Sequence, residues 1–150
     1  ASHIWKFCTH GEGLEEFNLE SSDINNPRNG LLMCKTIDEA FDTKKICFLV
    51  DRLKHSDLVL KVLDPSLLEP LTSPLIIPGY SSEKFSDIDG RTLVHPPEIL
   101  PFRRILDFHA KCSYKNAIRR GWLDRSESFD DFFNMSLGAS IPDLNPYQSD

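Results

Sequence analysis

The sequence contains no long apolar run. The longest candidates, Ile46-Cys-Phe-Leu-Val50 and Pro74-Leu-Ile-Ile-Pro78, fall far short of the ~20 residues that cross a bilayer as a helix. A soluble chain with no membrane contact is expected. Paired cysteines are also missing: Cys8, Cys34, Cys47 and Cys112 include no CxxC, which leaves no half of a zinc knuckle. Cys47 falls in an apolar, strand-like run and Cys112 in a helical one. Reduced, buried thiols in an intracellular protein are the favoured expectation, with a disulfide between two of the four as the alternative. There is no GxSxG elbow, so Ser-His-Asp acyl chemistry has no support. No internal repeat is apparent. No methionine stands before Ala1 and no basic segment precedes an apolar one, which suggests a processed or excised domain and not an intact secreted precursor.

What is present suits one globular unit: 150 residues, 40% of them hydrophobic, enough for a single core. The net charge of -6 is unevenly spread. Residues 1–90 carry a net -6, residues 91–120 a net +5 and residues 121–150 a net -5. Nucleic-acid binding, if the chain performs it, should therefore depend on Arg103, Arg104, Lys111, Lys115, Arg119 and Arg120. The same residues also read as an ordinary solvated helix face.

Along the chain, Ser2 to Cys8 has the character of a short strand end, followed by an acidic, Gly-containing loop. Asp23-Ile-Asn-Asn-Pro-Arg-Asn-Gly30 is dense in turn formers and predicts a tight, well-defined connection. Leu31 to Met33 read as a short buried segment. Thr36 with Glu39 forms a capping-box pattern that opens a short helix over Ile37 to Asp42. Ile46 to Asp51 and Leu58 to Leu63 predict an antiparallel hairpin. Pro65, Pro70, Pro74 and Pro78 exclude a long helix in the next segment, whose leucines and isoleucines should pack on the body. From Pro101 to Arg120 the apolar positions recur at helical spacing, and Gly121 stands where a C-terminal cap would lie. The last thirty residues combine acids with Phe129, Phe132, Phe133 and Tyr147. They are expected to lie across the domain or to dock on a protein partner.

Taken together, Ser2-His3-Ile4, Asn29-Gly30-Leu31-Leu32 and Asp38-Glu39-Ala40-Phe41-Asp42 with the strand after them resemble the HNH endonuclease family, in its variant "HI … NGLLL … HxxFD". The later DGRTLVHPPEILPFRRILDFH is similar to a segment that follows that motif. The resemblance covers Ala1 to Arg120. It implies an α+β fold: a ββα-metal, HNH-like hairpin-plus-helix core, here with an additional β-hairpin and a long C-terminal helix. The implied organisation is an HNH-like domain over 1–120 and an acidic, aromatic-containing extension over 121–150.

The chemistry that the resemblance implies needs a general base to take a proton from water, a cation at the phosphate and a braced loop holding both in register. His3 matches the general-base position. Asn29 matches the central asparagine that ties the loop to the base-bearing strand. Asp38 replaces the family's metal-binding histidine, and with Ser2 and Asp42 it offers only oxygen ligands, which favours Mg²⁺ or Mn²⁺ over zinc. DNA or RNA is the implied substrate.

Two readings stay open, a metal-dependent endonuclease and a catalytically degenerate HNH-fold module serving a structural or protein-interaction role. His10, His55 and His95 read as exposed loop residues, His109 as a buried helix residue bonded to backbone, and Trp5 and Trp122 as packing aromatics.

Overall fold

The structure is a computed structural model describing residues 2–50, 57–69, 83–93 and 99–124. Strand β1 (Ser2–His3) pairs antiparallel with β2 (Gly30–Leu31), Ser2 opposite Leu31 and His3 opposite Gly30. Helix α1 (Lys35–Asp42) follows, and then β3 (Ile46–Val50) and β4 (Leu58–Val62) form a second antiparallel pair in continuous register from Ile46 with Val62 to Val50 with Leu58. A one-turn helix α2 (Phe85–Ile88) leads to residues 90–93, which run along the outer edge of β4 through Gly90, Leu60, Arg91 and Leu93 backbone bonds. Helix α3 (Arg103–Arg119) closes the body. The α+β class, the additional hairpin and the long C-terminal helix are as expected. His55, His95, the prolines from Pro70 to Pro78 and residues 125–150 lie outside the described residues.

Burial explains the arrangement. All five residues of β3 are buried, whereas β4 buries only alternate positions, as a strand covered on two faces and its neighbour covered on one require. Cys47 and Leu49 meet Ala110, Tyr114 and Ala117 of α3, while Ile46, Phe48 and Val50 join the larger core. In that core Trp5, Phe17 and Phe108 form a three-ring cluster with centroids 5.4–5.8 Å apart, and Trp5 Nε1–H donates to the Glu12 carbonyl. Gly11 cannot be replaced cheaply, because its φ is +83° and an added Cβ would stand 2.2 Å from the Ser21 carbonyl oxygen. Helix α3 ends in a Schellman motif at Gly121 (φ +76°), with Trp122 N–H bonded back to Ala117 O and Gly121 N–H to Ile118 O. Trp122 and Leu123 pack on the inner cluster, so the folded body reaches past residue 120.

Several local expectations need correction. Helix α1 starts at Lys35, not Ile37. The Asp38 N–H bonds to Cys34 O, placing Thr36 inside the first turn and leaving Cys34 as an N-cap without a side-chain bond. The strand expected over Ser2 to Cys8 covers only Ser2–His3 and gives way to a 3-10 turn at Phe7–Thr9, because Trp5 leaves the ladder to bond with Asn29. Leu32 is 91% exposed, not buried; it stands just past the end of β2, whose Leu31 is buried. All four cysteines are free; Cys47 is buried, and Cys8 is exposed. Among the described residues no helix is long and apolar enough to cross a membrane.

Candidate active site

Asn29 is the best-defined element of the site. It ends a 3-10 turn (Pro27–Asn29) capped by the Asn26 side chain, which accepts from Arg28 N–H. The ordered turn predicted from Pro27 and its asparagines is therefore present. Asn29 is buried, and its side chain uses both ends of the amide. Oδ1 accepts from Trp5 N–H at 2.7 Å, and Nδ2 donates to Trp5 O at 3.1 Å and Ile24 O at 3.0 Å. The Asn29 carbonyl also accepts from Ile4 N–H at 2.8 Å. One residue thus locks the strand that bears His3 to the turn that opens β2. His3 itself is half-buried opposite Gly30.

Helix α1 approaches this unit through its C-terminal turn. Lys6, three residues after His3, forms an ion pair with Asp42. Asp38 lies one helical turn before Asp42, hence on the same face. Asp38 Oδ1 is buried and has no hydrogen-bond partner among the described residues. A buried carboxylate oxygen left so is costly unless a proton or cation completes it. Asp42 differs, being engaged by Lys6. Among the described residues no group of three or more His, Cys, Asp and Glu side chains lies close enough to hold a metal ion. Ser2 enters the site through its backbone register opposite Leu31.

His109 sits under α1 and performs the structural role expected of it. It is fully buried, stacked on Phe41 with ring centroids 3.7 Å apart, and its Nε2 is 2.8 Å from Phe41 O. A carbonyl only accepts, so Nε2 carries the proton. Burial holds the imidazole neutral, pushing its pKa down to about 3 against the opposing pull of that bond. The bond adds a second donor to a carbonyl in the last turn of α1 that also accepts from Lys44 N–H at 3.2 Å. His10 is an exposed loop residue with φ +54°.

The basic residues expected to meet nucleic acid all lie on α3 or at its end. Arg104, Lys111, Lys115 and Arg119 follow one another at spacings of seven, four and four, so they share one stripe of the helix. Arg103 occupies the first turn. At the other end Arg119 and Arg120 both donate to Asn116 Oδ1, and the Arg120 guanidinium lies 5.5 Å from the Trp122 ring centroid.

Three residues of consequence escaped sequence reasoning. Lys6 had no visible partner because Asp42 is 36 residues away. Arg28 stood inside a turn, although its place directly before Asn29 was a signal. Asp107 was hidden among apolar neighbours; it is buried, its Oδ2 has no partner among the described residues, and desolvation pushes its pKa up to about 6.

No curated protein and no solved structure matches the chain. Residues 1–49, which hold β1, β2, α1 and most of β3, match the family model described as HNH endonuclease. The N-terminal third of the chain is thus similar to the HNH endonuclease family.

Proposed function

We propose that the chain is a divalent-metal-dependent endonuclease that hydrolyses nucleic-acid phosphodiesters. The observation that carries this reading is the Asn29 amide, bonded to both polar backbone groups of Trp5. An asparagine so placed is a positioning residue: it fixes the strand of His3 against β2 without touching substrate. His3 then acts as general base, taking a proton from the water that attacks phosphorus as the bond to the leaving oxygen breaks.

The orphaned Oδ1 of Asp38 fits an oxygen-preferring ion. Mg²⁺ is commonly held by one or two carboxylates together with waters and substrate phosphate, so a lone protein carboxylate, with Ser2 as a further oxygen donor, suits Mg²⁺ or Mn²⁺ better than zinc. Held there by Asp38 and Ser2, such an ion would supply neutralisation of charge on the phosphate and leaving oxygen. Asp42 contributes by holding Lys6 and so keeping α1 against the His3 segment. Arg103, Arg104, Lys111, Lys115, Arg119 and Arg120 supply phosphate contacts from α3. The HNH-like domain runs over residues 1–120, and the acidic, aromatic-containing extension over 121–150 offers a sequence suited to a protein partner.

A second reading, an HNH-fold module without chemistry, draws support from the missing three-ligand cluster among the described residues. Cleavage of supercoiled plasmid with Mg²⁺ or Mn²⁺ separates the two. Nicking by the wild type that is lost in His3→Ala and in Asp38→Ala supports the enzyme. No nicking by a folded wild type, with no Mn²⁺ heat in calorimetry for it or for Asp38→His, establishes the module.

A further inference from the structure

A groove of about 510 Å³ opens beside the first turn of α3, lined by Phe17, Leu19, Arg28, Phe102, Arg103 and Arg104 among others. That volume is in the ordinary range for small-molecule sites, roughly 300–1,000 Å³. Its described lining holds three arginines and no carboxylate. The three cations are held differently. Arg28 Nε–H donates to Leu100 O at 2.7 Å, and its guanidinium carbon lies 4.5 Å from the Phe102 ring centroid. Bonded at one edge and backed by a ring on one face, this exposed side chain presents a fixed, flat, positively charged plane. Arg104 reaches back to Phe17 O at 3.4 Å, bridging the groove wall. The first turn of α3 contains no acidic residue and its N-cap, Phe102, forms no side-chain cap, so the positive end of the helix adds to the arginines.

The groove is also continuous with the site. Arg28 directly precedes Asn29, and Phe102 N–H donates to Arg28 O at 2.9 Å, so the groove wall and the turn that braces His3 are one main-chain unit.

We infer that this groove holds a single-stranded nucleotide segment flanking the scissile phosphate, one base stacked on the Arg28 guanidinium and the adjoining phosphates met by Arg103 and Arg104. Stacking on an arginine plane requires an unpaired base, which makes the substrate a single strand or a locally opened duplex. The inference rests on the endonuclease reading for where the strand leads, though not for the binding itself.

The test is fluorescence anisotropy of the full chain with a labelled oligo-dT strand, without divalent metal, across a salt series. Arg28→Ala and Arg28→Lys should each weaken binding by about tenfold, the loss typical of one stacked base. Arg28→Lys should leave the salt slope unchanged, since the charge persists. Arg103→Ala with Arg104→Ala should flatten the slope by about 0.7 for each phosphate left without its cation. Melting curves confirm that each variant is folded. Wild-type affinity in folded Arg28→Lys overturns the proposal, as does equal binding of a duplex of the same length. If a labelled peptide spanning residues 125–135 binds in an Arg28-dependent way and the oligonucleotide does not bind, the occupant is a protein segment and the proposal also fails. Plasmid cleavage is scored separately, so a chain that binds through Arg28 without cutting removes the endonuclease reading and keeps the groove.

Discussion

The described residues contain two antiparallel strand pairs built on opposite principles. Each strand of β3–β4 is five residues long, with β3 buried throughout and α3 packed on it. The β1–β2 pair has two residues per strand, too few for a ladder to be stable by itself. What holds it is a side chain: Asn29 supplies three bonds that a longer strand would have drawn from the backbone. Stability is thus concentrated in one sheet, and the candidate chemistry sits on the other, where single residues decide the geometry.

The sharpest way to break this contrast is Asn29→Ala. It leaves Trp5 N–H, Trp5 O and Ile24 O without their partner, and buried groups so stranded cost roughly 1–3 kcal/mol each. A loss of about 3 kcal/mol is expected by denaturant titration, with amide exchange in β1–β2 rising before exchange in β3–β4. Uniform exchange across both sheets would show that they open together and that the contrast is false.

Next in size is Asp107→Asn, which probes the stable half. Burial raises the Asp107 pKa to about 6. The folded protein therefore holds more protons than the unfolded chain between about pH 4 and pH 6, and stability falls as pH rises through that window. Removing the charge should stabilise the protein by up to about 3 kcal/mol at pH 7, with the gain disappearing below about pH 4. A pH-independent difference between variant and wild type would refute the cause given.

The smallest effect belongs to Lys6→Ala. Its ion pair with Asp42 is partly exposed on both sides, and such pairs contribute under about 1 kcal/mol. Melting should hardly move, while plasmid nicking should fall because α1 loses its tie to the His3 segment. A stability loss equal to that of Asn29→Ala would erase the distinction between positioning and folding in this region.

Local pattern carried β3, β4 and α3 into view, since apolar runs and helical periodicity reflect burial directly, and Gly121 marked the end of α3 because a Schellman motif needs a left-handed residue. Asn29 was legible through its motif. The rest depends on distant pairings that leave no periodic trace. Lys6 finds Asp42 across 36 positions, and Arg28 finds Leu100 across 72. The capping box at Thr36 failed for a related reason: the chain enters α1 from β2 with Cys34 already placed at its N-terminus, and tertiary entry overrode a local preference. Leu32 illustrates the limit of hydropathy, an apolar residue left exposed just past the end of a two-residue strand.

Cys47 has a use outside function. Its sulfur is buried in the middle of β3, and burial pushes its thiol well above the ordinary range, so it is inert to alkylating reagents until the core opens. Cys34 stands half-buried between β2 and α1. The chain therefore carries two natural timers: alkylation of Cys34 records local fraying beside the site, and alkylation of Cys47 records global unfolding, without any label having to be engineered.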